Sequence, residues 1–410
     1  MSDHSPPPAE PALHKAWALH LGVLFMTHVL GMMHLLTVLA MAPVVRNDLD
    51  LSATEFGFLV SAYSAAQGVF AVPFGWLGDR IGVARTLQLG TCLLAVGTSI
   101  LTQADGLWFA LLAMTVTGTG YAGINPATSR AILEWFPRRW RASAMGIKQT
   151  GVPVGGMAAA ATGTLVVLLD WRTVMWLVVG VTAAAVALTM MLPRAAPRPP
   201  GAAAGPAFTT ALREILKDLN LGVLNLSVCF YNIGQQNLFA YLTLFVREGL
   251  QASLPVASLC LGAAQAASVA GRLGWGVVSD RLLGGRRKPV LVAIGIASTL
   301  LFVAIGLLPP GAAVALAFVL AVLLGLTITA YAALVQTMLI ESAPPNLAGA
   351  TVGYNKILLA VGATVGPPLF GAVVDSTGGY GMAWLMCGGF AALAALLFGR
   401  KYREPEPTAS

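Results

Sequence analysis

Charge is what this 410-residue chain most conspicuously lacks. Asp, Glu, Lys and Arg make up 10% of it, against about 25% in an ordinary soluble domain. So small a polar complement cannot cover a water-facing surface, and a soluble globular fold is excluded. Cysteine is also scarce. Cys92, Cys229, Cys260 and Cys387 all lie inside apolar stretches without metal-ligand spacing. They read as small packing residues, and no metal site is expected. No Gly-x-x-x-x-Gly-Lys phosphate loop, Gly-x-Ser-x-Gly elbow or His-Glu-x-x-His pair occurs. An ATP-driven pump and the common hydrolases are therefore not expected, and no cofactor is implied. The first sixteen residues are polar and Pro-rich and lack the charged and apolar regions of a signal peptide.

What is present is apolar sequence: 57% of residues are hydrophobic and the mean hydropathy is +0.77. The runs reach about 20 residues, the length of a membrane-crossing helix rather than a barrel strand of about 10. Reading between charged or Pro/Gly-rich breaks gives twelve spans: 17–45, 54–77, 84–103, 107–134, 142–169, 171–192, 219–246, 254–278, 288–308, 311–340, 347–373 and 381–399. This predicts a tail over 1–16, a six-helix half over 17–192, a linker over 193–218, a second half over 219–400 and a tail over 401–410. Most loop arginines and lysines, among them Arg138, Arg139, Arg141, Arg286, Arg287 and Lys288, fall on one side of the spans. Arg46, Arg172 and Arg247 fall on the other. Basic residues favour the cytoplasmic side, which places both termini in the cytoplasm of a bacterial inner membrane. The net charge of +7 is thus explained by topology, and no nucleic-acid partner is expected.

The halves repeat. Gly75-Trp76-Leu77-Gly78-Asp79-Arg80 after the second span matches Gly276-Val277-Val278-Ser279-Asp280-Arg281 after the eighth. Glu134, Pro137, Gly146 and Gly155 match Glu341, Pro344, Gly353 and Gly362 at one constant offset. The Gly-x-Leu-x-Asp-Arg-x-Gly loop resembles the signature loop of the major facilitator superfamily. That resemblance implies an all-α membrane protein of twelve helices in two pseudo-symmetric six-helix bundles, alternating access, and no enzymatic activity. It implies gating roles for Asp79, Arg80, Asp280 and Arg281, and Arg130 with Glu134 at i+4 join the gating candidates. The loop departs from the family pattern at Val83-Ala84, where a basic pair is usual.

The seventeen Asp and Glu all fall in tails, loops or span ends, whereas Lys148, Arg272 and Lys356 lie inside spans. At 1.5 Å per residue they lie roughly 10–13 Å from the nearest span end, in one layer near the middle of a core about 30 Å thick. A charge there needs a partner or a watery cavity. With no acid available, the simplest counter-charge is an anionic substrate. Arg272 could instead bond backbone carbonyls in its Gly-rich segment, and the Lys148 segment could serve packing. Gly271-Arg272-x-x-Trp275-Gly276-x-x-Ser279-Asp280 resembles the eighth span of the monocarboxylate and oxalate:formate carriers, in which this arginine engages carboxylate. Lys356 lies in the span that supplies the lysine of the oxalate carrier. Ser268 stands where the animal carriers have an acid.

Neutral groups that could complete a site are Tyr231, Asn232 and Gln236 of the seventh span, with Tyr331 and Asn355. His28 and His34 are candidate proton carriers. The expected function is a monomeric carrier of a small mono- or dicarboxylate, with H⁺ or an exchange anion as coupling partner and the lipid bilayer as surroundings. The alternatives are a cyanate- or nitrate-type permease and an exporter of drug-like or hydrophobic compounds. An exporter of cations would want an acid in the cavity.

Overall fold

The computed structural model describes residues 16–193, 208–343 and 347–404. The expected tails up to residue 15 and from 405, and the middle of the expected linker (194–207), lie outside the described residues. Sixteen α-helices follow one another: α1 (Trp17–Ala40), α2 (Ala42–Asp48), α3 (Ala53–Ile81), α4 (Val83–Leu101), α5 (Leu107–Ala122), α6 (Ile124–Trp135), α7 (Arg138–Thr164), α8 (Trp171–Thr189), α9 (Phe208–Lys217), α10 (Leu219–Leu244), α11 (Leu254–Val277), α12 (Lys288–Gly306), α13 (Val314–Leu326), α14 (Ala332–Glu341), α15 (Ala348–Thr377) and α16 (Gly381–Lys401). No strand occurs among the described residues.

Among the described residues, ten stretches are long and apolar enough to cross a membrane on composition alone. Two further spans complete the twelve. The 26 residues of α10 reach about 39 Å, but Asn225, Asn232, Gln235, Gln236 and Asn237 dilute its hydropathy. The tenth span, expected as one helix over 311–340, is two: α13 and α14, parted at 327–331. The fourth breaks likewise between α5 and α6 at Gly123. These breaks occupy equivalent places in the two halves, and so do two glycines. A Cβ on Gly118 would run into the Tyr63 carbonyl of α3, and one on Gly325 into the Ala264 carbonyl of α11. They stand at the same offset as Glu134 and Glu341, so the duplication extends to how the fourth and tenth spans dock.

Helix ends follow local chemistry. Ser52 caps α3 in a reciprocal pair: its hydroxyl accepts from Glu55 N at 3.1 Å, and its own N–H donates to the Glu55 carboxylate at 2.8 Å. The turn from α3 to α4 is made by Gly82 alone, at φ +83°, which a side chain would strain.

The halves meet along two seams, α3 against α15 and α7 against α11. Every hydrogen bond or ion pair joining them among the described residues lies toward one end, where α1 leads into α3. Arg46 pairs with Glu248 at 2.7 Å. Asp375 accepts from Ala53 N at 3.0 Å, from Thr54 N at 2.8 Å and from the Thr54 hydroxyl at 2.5 Å. Tyr241 donates to the Ala53 carbonyl, Ser258 to that of Ala40 and Ser61 to that of Thr364. This latched end contrasts with the opposite one, where the described residues show no such link.

Candidate functional site

Close packing runs along both seams from the latched end. Along α7–α11, a Cβ on Gly163 would fall 2.7 Å from the Ser258 hydroxyl, and one on Gly156 would fall 2.6 Å from the Gln265 side chain. Arg272 lies two turns beyond Gln265, away from the latch. Along α3–α15, a Cβ on Gly68 would fall 2.8 Å from Ala360, and Lys356 lies one turn further toward the open end. The two cations therefore lie past these close contacts, on the unlinked, or cleft, side of both seams.

Neither cation is neutralised. Lys356 is exposed, although its helix is packed between α3 and α10. Among the described residues it has no hydrogen-bond or ion-pair partner. Arg272 is half-buried and its Nε is sealed from solvent without an acceptor. The alternative in which Arg272 rests on backbone carbonyls is not what the structure shows. Trp275, one turn on, takes the nearby carbonyl of Leu326 at 2.7 Å instead. Lys356 feels the charge of Arg272, and Lys148 that of Lys356, so the three form one electrostatic layer across the two halves.

Lys148 differs in kind. It is wholly buried, and its ammonium donates to Asn125 Oδ1 at 2.9 Å and Ser129 Oγ at 2.7 Å, both on α6. It ties α7 to α6 and lends its field to the cleft, without lying open to it.

The neutral candidates divide in the same way. Tyr331 donates to Asn232 Oδ1 at 3.3 Å, and the Asn232 amide donates to the Leu359 carbonyl at 2.7 Å, a chain that leads from the break in the tenth span to α15. Tyr231 turns toward α12 and donates to Leu291 O at 3.0 Å, and Asn355 bonds Asn225 at 2.9 Å. These two brace the second half rather than facing the cleft. Gln236 is half-buried.

Of the histidines, His34 bridges Thr98 at 2.6 Å and Thr182 at 2.9 Å, and the Thr182 hydroxyl itself donates to Val178 O. Both ring nitrogens are thereby engaged, and the residue pins α1 to α4 and α8. His28 bonds Thr128 at 2.9 Å through Nε2, and its buried Nδ1 has no partner.

The gating candidates cluster at the open end. Arg130 bonds Glu134 at 2.6 Å and the Gly78 carbonyl at 2.8 Å, which ties α6 to α3 within one half. The Arg80 guanidinium lies 3.8 Å over the Trp76 ring. Asp280 and Arg281 are exposed in the wide turn Val278–Leu282. The Asp79 side chain lies outside the described residues. The charged contacts that join the halves among the described residues are instead those of Arg46, Glu248 and Asp375, which read in sequence only as span-end or loop charges. Tyr121, on the half opposite Arg272 and within reach of its charge, is a further residue of this region. Its one sequence signal is a lone ring flanked by Gly118, Gly120 and Gly123.

The chain is similar over most of its length to known transporters. The hexuronate transporter of Bacillus subtilis (strain 168) is 27% identical over 377 residues, covering 87% of each chain. The phosphoglycerate transporter protein of Salmonella typhimurium is 26% identical over 380 residues, covering 85% of this chain and 81% of that one. Among solved structures, a bacterial homologue of the human lysosomal transporter Spinster has a TM-score of 0.78 at 17% identity, covering 94% of this chain and 97% of that one, which shows a shared fold. The Major Facilitator Superfamily profile matches residues 23–355 and 224–410. With its duplicated six-helix halves, the chain belongs to the Major Facilitator Superfamily and is a multi-pass membrane transporter.

Proposed function

We propose that the protein is a secondary carrier of a small organic anion, which binds by its acidic group to Arg272 and Lys356. The observation that carries this reading is the pair itself: two fixed cations on the cleft side of both seams, with no protein partner among the described residues. A guanidinium fork and an ammonium point charge suit a carboxylate or phosphate. The names of the two relatives, hexuronate and phosphoglycerate transporters, denote organic anions of that kind.

In the proposed cycle the two units are 17–192 and 219–400, joined by the linker 193–218, and the open end faces the cytoplasm, where the loop arginines concentrate. An anion entering the cleft lowers the repulsion between Arg272, Lys356 and Lys148, which lets the open end close. Asp280 and Arg281, exposed at that end, are placed to meet the opposite half as it does so, with Asp79 and Arg80 as their counterparts. Closure there accompanies release of the Arg46–Glu248 and Asp375 contacts at the other end. A proton-coupled cycle would run through His28 rather than His34, because only His28 keeps a free ring nitrogen.

The test is anion-dependent thermal stabilisation of the purified protein by glucuronate, 3-phosphoglycerate, succinate and nitrate, paired with vesicle uptake. An anion at a hundredfold over its Kd raises stability by about 2.7 kcal/mol. Arg272→Gln should abolish both stabilisation and uptake, and Arg272→Lys should weaken them markedly. Transport of a cation, or anion binding unchanged in Arg272→Gln, would overturn the proposal.

A further inference from the structure

We infer that Tyr121 is the first half's hydrogen-bond donor to the bound anion, so that the ligand is gripped by both halves at once. This rests on the anion reading of Arg272 and adds to it a ligand from the opposite bundle.

Tyr121 lies in the last turn of α5, just before the break at Gly123. Its ring is held on two sides. It presses on Gly31 of α1, where a Cβ would collide with it, and it stacks on Tyr63 with centroids 6.1 Å apart. The position of the hydroxyl is therefore set by packing, and little rotamer freedom is lost when it binds.

That hydroxyl is free. No hydrogen bond to Tyr121 occurs among the described residues, and its oxygen is not among the polar atoms sealed away from solvent. Tyr63, on which Tyr121 stacks, is already committed, donating to Gly31 O at 3.2 Å, as is Tyr331 of the other half, which donates to Asn232 at 3.3 Å. The charge that Tyr121 feels is that of Arg272, on the other side of the cleft.

The chemistry then favours a ligand. Guanidinium and ammonium groups donate and cannot accept. Arg272, Lys356 and Tyr121 make a donor-rich layer with no carboxylate among the described residues to receive their protons. An anion supplies the missing acceptor oxygens. Because Arg272 and Lys356 come from one half and Tyr121 from the other, the same anion that satisfies them also joins the halves. This gives binding a direct hold on closure.

The experiment measures binding of glucuronate, 3-phosphoglycerate and succinate to purified wild type and to Tyr121→Phe, Tyr63→Phe and Arg272→Gln, with ligand-free melting recorded for each. Phe keeps the Tyr63 stack and the Gly31 contact. Tyr121→Phe should bind the preferred probe about 10- to 100-fold more weakly, the loss expected of a hydrogen bond to a charged group. Its ligand-free melting should be unchanged. Tyr63→Phe should bind like wild type. Wild-type affinity in Tyr121→Phe, alongside lost binding in Arg272→Gln, would overturn this inference and leave the anion site standing. A fall in ligand-free melting that matches the lost affinity would overturn it too, by marking the hydroxyl as structural. Binding of no probe by wild type, or undiminished binding in Arg272→Gln, would remove the anion reading and this inference with it.

Discussion

Replacing Asp375 by Asn should loosen the latched end without touching the cleft. The Asp375 carboxylate sits at the N-terminus of α3, a helix of the other half, and receives two backbone N–H groups and the Thr54 hydroxyl. It thus serves as a helix cap supplied across the interface, favoured both by its hydrogen bonds and by the positive end of the helix dipole. Asn keeps one acceptor oxygen and turns an NH₂ toward an N–H donor. One charged hydrogen bond and the dipole attraction are lost, together about 2 kcal/mol. At 1.4 kcal/mol per decade, the ratio of latched to unlatched molecules falls about 30-fold. A wild type latched in about 99 molecules of 100 would become latched in about 77. The readout is the distance between nitroxides on Asn47→Cys and Ser253→Cys, both exposed at the latched end on opposite halves, after removal of the four native cysteines. Tyr241, Ser61, Ser258 and the Arg46–Glu248 pair remain, so the shift should be partial, and it should grow when Glu248→Gln is added. A distance distribution that stays at the wild-type value in both Asp375→Asn and the double variant would refute the assignment of this contact as a latch.

Two further substitutions separate structural from functional charge. Lys148→Met should raise the ligand-free melting temperature, because a wholly buried ammonium held only by neutral acceptors costs more in desolvation than its two hydrogen bonds return. Scanning calorimetry or a dye-based melt checks this, and a lower melting temperature would show the reverse balance. His34→Leu should destabilise the protein by about 1–3 kcal/mol by leaving the buried Thr98 hydroxyl without its partner and breaking the link to Thr182, while the pH profile of uptake keeps its shape. A displaced profile would return His34 to the proton path.

Much of this protein was written in local sequence. Apolar runs of helix length, loop arginines on one side and two repeated motifs specify twelve helices in two similar halves, because insertion into lipid is decided segment by segment. The absence of acids from the spans marked Arg272, Lys356 and Lys148 as one unusual set, since the cost of a bare charge in lipid needs no partner to be known. What sequence could not separate was the three from one another. Lys148 is engaged by Asn125 and Ser129, whereas Arg272 and Lys356 stand free at the cleft. That difference depends on how each helix is rotated about its axis, which is set by packing against helices far away in the chain. The same limit hid Tyr121 and Asp375. Asp375 acts across the interface between halves, on residues more than three hundred positions distant, and only the docking of one bundle on the other brings its carboxylate to the first turn of α3 or sets Tyr121 within the field of Arg272.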